Sequence, residues 1–255
     1  MAKHLAACAL GLMTAAGLAA APGTAAQNAE PAAAYEDCLL QVEAAPEEAY
    51  ERAMSWAAVD GGAPARHCAA VALIAMGHYA EAGRRLEALA NDLARSGQAG
   101  LSVDALAQAG NAWLLAGDLE RANAVQSAAL KQAPDHLELL VDRARTLGQA
   151  KNYGDALTDL DRALALAPGR ADILIYRASA RRFLGDNAGA LEDVERALVL
   201  APDNPEGLLE RGILRRLGGD LDGARADWQR AAILAEGLPT GAAAQANIAK
   251  LELGE

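Results

Sequence analysis

Residues 137–170 read LELLVDRARTLGQAKNYGDALTDLDRALALAPGR, and residues 171–204 read ADILIYRASARRFLGDNAGALEDVERALVLAPDN. Laid one above the other, the two lines are a single pattern written twice. Pro134, Pro168 and Pro202 stand 34 residues apart, and so do Ala129, Ala163, Ala197 and Ala231, and Ala122, Ala156, Ala190 and Ala224. A fixed period of this length signals stacked supersecondary units rather than one mixed core. Working outward, the pattern extends to four repeats, 103–136, 137–170, 171–204 and 205–238.

Numbered from Val103, Leu137, Ala171 and Pro205, position 4 is Leu106, Leu140, Leu174 and Leu208. Position 8 is small in every repeat: Gly110, Ala144, Ala178 and Gly212. Positions 15 and 16 are turn pairs, Gly117-Asp118, Lys151-Asn152, Gly185-Asp186 and Gly219-Asp220. Apolar or small residues at positions 4, 7/8 and 11, then 20, 24 and 27, describe two helical stripes separated by a break. Small side chains at positions 8 and 20 let the two helices approach closely. Proline at position 32 ends the second helix, because it lacks an amide hydrogen and restricts the residue before it.

With small residues at 8, alanine at 20 and 27 and proline at 32, the pattern resembles the tetratricopeptide repeat (TPR). The fourth repeat departs from it, with Glu236 at position 32 and Pro239 three residues later. The resemblance implies an all-α fold: a right-handed superhelical solenoid of antiparallel helix pairs, closed by a C-terminal capping helix over residues 239–255. Terminal elements of such arrays cover the apolar face of the last repeat.

The remaining segments are assigned in the same way. Residues 1–26 read as a secretory signal: Lys3 and His4 precede an apolar stretch, Leu5 to Ala21, and small residues at 19–21 and 24–26 offer cleavage after Ala26 or Ala21. The stretch is short and alanine-rich for a membrane span, so no transmembrane segment is expected after cleavage. Leu5-Ala6-Ala7-Cys8 spells a lipoprotein-type box, but too little apolar sequence precedes it, and Cys8 is read as part of the signal. Residues 27–33 read as a linker, 34–96 as degenerate TPR-like hairpins, and 97–102 as a connecting loop. The terminal helix is expected over 242–253, capped by Thr240-Gly241. The implied location is exported and periplasmic, with secretion, or lipid anchoring through Cys8, as the alternatives.

A cleaved chain keeps Cys38 and Cys68, each on the first helix of a neighbouring hairpin. In an oxidising compartment they can form a disulfide; the other reading is two buried thiols that never meet.

Arg143, Arg177 and Arg211 occupy position 7 of three successive repeats, and Asp159, Asp193 and Asp227 occupy position 23. Where the arginine is absent the aspartate is too, since the first repeat has Ala109 and Val125 there. The co-occurrence points to ion pairs between the helices of one repeat, not to an anion-binding strip.

The family resemblance further implies that first helices line an inner groove through positions 2, 5, 9, 12 and 13. The candidate peptide-binding residues are then Asp104, Asn111, Leu115, Glu138, Arg145, Gln149, Asp172, Ser179, Arg182, Phe183, Glu206, Arg216 and Leu217. Asn111 matches a carboxylate-contacting position of chaperone-binding TPR domains, but Ala107 and Val141 occupy slots where a carboxylate clamp needs lysine. The lining suits an extended protein or peptide segment with a few charges and one or two apolar anchors, and Phe183 is the best placed to hold an anchor.

The net charge of −11 opposes phosphate backbones, so a nucleic-acid partner is not expected. Three tryptophans, five tyrosines and a single phenylalanine suit many short Ala/Leu helix contacts better than one aromatic core. His67, His78 and His136 are scattered, and neither a phosphate-binding loop nor a nucleophile elbow is present. The expectation is a non-enzymatic scaffold with no cofactor and no metal. Self-association as part of an envelope assembly is the alternative.

Overall fold

The computed structural model describes residues 25–253, and the signal assigned to 1–26 lies outside them but for its last two residues. Among the described residues there are thirteen helices and no strand. They fall into two compact units that meet in sequence at Pro134 and Asp135.

The first unit holds α1 (Ala25–Ala44), α2 (Pro46–Val59), α3 (Gly62–Ala75), α4 (Tyr79–Arg95), α5 (Ala99–Leu115) and α6 (Leu119–Gln132). Pro46 opens α2 with Glu47 and Glu48 in its first turn, a residue type needing no amide partner followed by charges that favour a helix N-terminus. Gly77, Gly97 and Gly117 all take the left-handed backbone, at φ +79°, +78° and +79°. Behind each, the next amide reaches back to a carbonyl five residues earlier: His78 to Leu73, Gln98 to Leu93, Asp118 to Trp113.

Two expectations are corrected here. No loop spans 97–102: the turn is complete by Gln98, and α5 starts at Ala99. A left-handed glycine reverses the chain in three residues, so the additional length goes into α4 and α5, each 17 residues long. Nor do residues 27–33 form a linker; their alanine-rich backbone is helical within α1.

The second unit is more regular: α7 (Leu137–Gln149), α8 (Tyr153–Leu166), α9 (Ala171–Phe183), α10 (Asn187–Leu200), α11 (Pro205–Leu217), α12 (Leu221–Leu234) and α13 (Pro239–Glu252). Asp186 and Asp220 cap α10 and α12, accepting from the amides of Gly189 and Gly223 at 3.0 and 2.9 Å. Lys151, at φ +61°, stands where the other repeats place glycine. The last helix starts at Pro239, not at Ala242, with Pro239 in its first turn instead of a Thr240-Gly241 cap. Pro239 falls 34 residues after Pro205, so α13 is in register with the first helices. Its Ile248 and Leu251 pack against the core around Trp228, and Lys250 and Glu252 are exposed.

The small residue at position 8 works as the sequence implies. A methyl group on Gly212 would overlap the indole of Trp228, which is 1% exposed and donates its N–H to the Leu209 carbonyl at 3.2 Å. Gly110 sits in the same way beneath Gln126. Gln126 is fully buried, and neither polar atom of its amide has a partner among the described residues. Gln126→Leu, the residue type that Leu160 supplies one repeat later, is therefore expected to raise stability by about 1–3 kcal/mol. A urea midpoint that stays put or falls would show the amide to be satisfied.

Candidate peptide-binding face

The arginine and aspartate ladders meet as forks. Arg143 donates to both oxygens of Asp159 at 2.7 and 2.6 Å, Arg177 to Asp193 at 2.8 and 2.6 Å, and Arg211 to Asp227 at 2.8 and 2.6 Å. The aspartates are buried, Asp193 to 1% exposure, and the carboxylate beside each of these arginines raises its pKa above the ordinary value. Position 11, read as apolar, turns out mixed: Trp113 and Leu147 in two repeats, arginine in the next two. Arg181 reaches Asp193 and Arg215 reaches Asp227, each at 2.9 Å. The ladder is thus partly a set of Arg–Asp–Arg clusters holding α9 to α10 and α11 to α12.

Of the groove candidates, Asp104, Asn111 and Leu115 belong to the first unit and the rest to the second. The structure gathers four of the latter around one cavity. Arg145 and Gln149 come from α7, Ser179 and Phe183 from α9, and Tyr153, Ala156 and Leu160 of α8 close the space behind them. Its volume is about 260 Å³. The Phe183 ring stacks on Tyr153 with centroids 4.4 Å apart and planes 5° apart.

Tyr176, absent from the candidates, also lines this cavity. It lies four residues after Asp172 and three before Ser179, a spacing that shares one helix face. Partial burial raises its pKa, with Arg145 opposing the shift and Asp172, Glu206 and Asp142 adding to it.

Other candidates are already engaged within the chain. Arg182 makes two bonds to Glu210 of α11, at 2.6 and 3.3 Å, and both side chains are largely buried. Arg182 is therefore a tie between successive first helices and not an open groove cation. Glu138 and Asp172 converge on Arg170, at 2.6 and 2.7 Å. Those hydrogen bonds raise the Arg170 pKa and lower that of Asp172. Glu206 accepts from the Thr240 hydroxyl at 3.2 Å, linking α11 to α13. Arg145 contacts Asp142 at 3.2 Å, while Arg216 and Leu217 are exposed at the end of α11.

In the first unit Asp104 and Leu115 are exposed and Asn111 is half-buried. A cavity of about 110 Å³ lies beside Asp104, His67 and Gln108. His67 is buried between Tyr35 and Gln108, with each ring nitrogen 2.7 Å from its partner. As Gln108 presents its carbonyl oxygen, Nε2 carries the proton and Nδ1 of the neutral ring accepts from Tyr35. Burial lowers the His67 pKa, with Gln108 and Asp104 opposing the shift, and raises Tyr35 to about 12. Both ring nitrogens are thereby engaged within the fold.

Cys38 and Cys68 are joined in a disulfide with their Cα atoms 6.3 Å apart, tying α1 to α3. Ala49, Ala53, Ala69 and Ala72 pack around it. Among the described residues no three His, Cys, Asp or Glu side chains gather as a metal site, and no helix is long and apolar enough to cross a membrane.

The family described as tetratricopeptide repeat matches residues 141–205 and 177–247. No curated protein matches the chain. Among solved structures, MamA from Desulfovibrio magneticus RS-1 is 22% identical with a TM-score of 0.57, over 68% of this chain and 94% of that one. The MamA RS-1 ArsTM double mutant gives 22% identity and 0.59 over the same shares. Another MamA crystal structure gives 17% and 0.55, over 65% of this chain and 93% of that one. These likenesses are likenesses of fold.

Proposed function

We propose that this chain, a tetratricopeptide-repeat protein, is a non-enzymatic scaffold that binds an extended protein or peptide segment along the first helices of its second unit, in the periplasm or cell envelope. One observation carries the reading: Arg145, Gln149, Ser179 and Phe183, chosen by repeat position, converge from two successive first helices on a single cavity. A preformed cavity between packed helices leaves little ordering cost on the scaffold's side. Export rests on the leader-like residues 1–26 and on a disulfide that suits an oxidising compartment.

The test is capture of envelope proteins on the immobilised mature chain, beside an Arg145→Glu, Gln149→Ala double variant. A specific partner should be held by the first and lost by the second, with helicity by circular dichroism equal in both. Arg182 is left alone because its removal would strand buried Glu210. Equal capture by both proteins would remove the reading.

Self-association has an observation of its own. Leu166, Leu200 and Leu234 recur at 34-residue spacing and are exposed, as are Val199 and Ile233 at 81% and 77%. Where exposed apolar residues join into one patch, they mark an interaction surface. Light scattering separates the two readings: a monomer at micromolar concentration supports the peptide scaffold. A dimer dispersed by Val199→Lys with Ile233→Lys supports assembly.

A further inference from the structure

The cavity beside Tyr176 exists because one side chain is missing from the repeat pattern. Position 12 is Leu114, Gly148, Arg182 and Arg216 in the four repeats. From α9, Arg182 crosses to position 6 of the next repeat, Glu210, with its guanidinium 4.2 Å from the centre of the Phe183 ring. One repeat earlier the same two places hold Gly148 and Tyr176. Gly148 has no side chain to send across, and a carbon added on it would meet no atom within 4 Å.

What remains open is the place of one long side chain. About 260 Å³ is too little for a helix, whose diameter with side chains is about 10–12 Å. The lining specifies the guest. Ala144, Ala156, Leu160 and Ala180 give an apolar floor, and the Tyr153–Phe183 stack gives an aromatic wall. Among the described residues that line it, Arg145 is the only charged one. Its contact with Asp142 is through one guanidinium nitrogen, and an arginine has five N–H donors.

We infer that this cavity takes an aromatic side chain from an extended peptide, with a carboxylate two residues away held by Arg145. Two residues is the nearest spacing at which an extended chain turns side chains to the same side. The inference rests on the proposed peptide-binding role of the second unit and narrows it to acidic–aromatic segments.

Three fluorescein-labelled peptides test it by anisotropy: GSEGFGEGS, GSKGFGKGS and GSEGAGEGS. The first should bind the wild-type chain, and each of the others at least tenfold more weakly. Gly148→Leu should abolish binding of the first by filling the space, and Gly148→Ala should weaken it. Circular dichroism confirms that both variants fold. Arg145→Gln should level the acidic and basic peptides while keeping the advantage of phenylalanine over alanine. Equal or tighter binding of the lysine peptide overturns the choice of an anion, and undiminished binding to Gly148→Leu overturns the pocket. If none of the three peptides binds, the inference fails, while the capture experiment still decides the broader reading by itself.

Discussion

Asp193→Ala is expected to cost the second unit about 3–5 kcal/mol, because it takes a buried carboxylate from two partly buried guanidinium groups at once. It leaves Arg177 with exposed Asp161, and Arg181 with the Gly189 carbonyl and exposed Asp186. Arg177 and Arg181 both donate to this carboxylate, which is 1% exposed. Asp159→Ala is the internal control. Among the described residues Asp159 meets Arg143 alone, since Leu147 stands where the next repeat has Arg181. Its loss should therefore destabilise less. Arg177→Ala should also cost less than Asp193→Ala, for Asp193 keeps its bond to Arg181. Urea unfolding of the three variants gives the order. A loss below about 1 kcal/mol for Asp193→Ala would place the cluster with ordinary surface pairs and refute its structural role.

The second large effect is expected on reduction. The Cys38–Cys68 bond closes a loop with a sequence separation of 30. The chain-entropy treatment makes that worth about 3–4 kcal/mol, chiefly by restricting the unfolded chain. The change should be local. Amide hydrogen exchange in α1 to α3 should quicken on adding dithiothreitol, while α7 to α13 keep their protection. Identical exchange in the oxidised and reduced protein would show that the bond stabilises nothing.

The hairpins were legible because their cause is local. Alanine at position 20, a small residue at 8 and a breaker at 32 act within one repeat, and the helices follow at the intervals the ruler marks. The Arg143, Arg177 and Arg211 pairs were legible for the same reason, since both partners lie in one repeat and vanish together in the first. What escaped depends on what a neighbouring repeat supplies. Arg182 was expected to face an open groove, but Glu210 on the next first helix claims it. The void over Gly148 is likewise invisible in a single line of sequence, because it is defined by Tyr176 opposite and by the Tyr153–Phe183 stack. Arg181 and Arg215 are a separate case: they meet aspartates of their own repeats, at a position that is apolar, Trp113 or Leu147, in the two repeats before them. In the first unit the spare residues before Val103 looked like a loop, since composition does not say whether extra length will enter a turn or lengthen a helix.

Within each unit, helices pack on the next or the next but one along the chain. Among the described residues of each unit, these packed pairs do not wait for a distant segment to be synthesised. Contacts so close in sequence carry a small loop-closure entropy, and such topologies fold fast and from many starting points. A chain threaded slowly out of a narrow channel could therefore form each hairpin as its second helix emerges. In the first unit the bond between Cys38 and Cys68 can close once α3 has appeared, before the repeats that follow have been delivered.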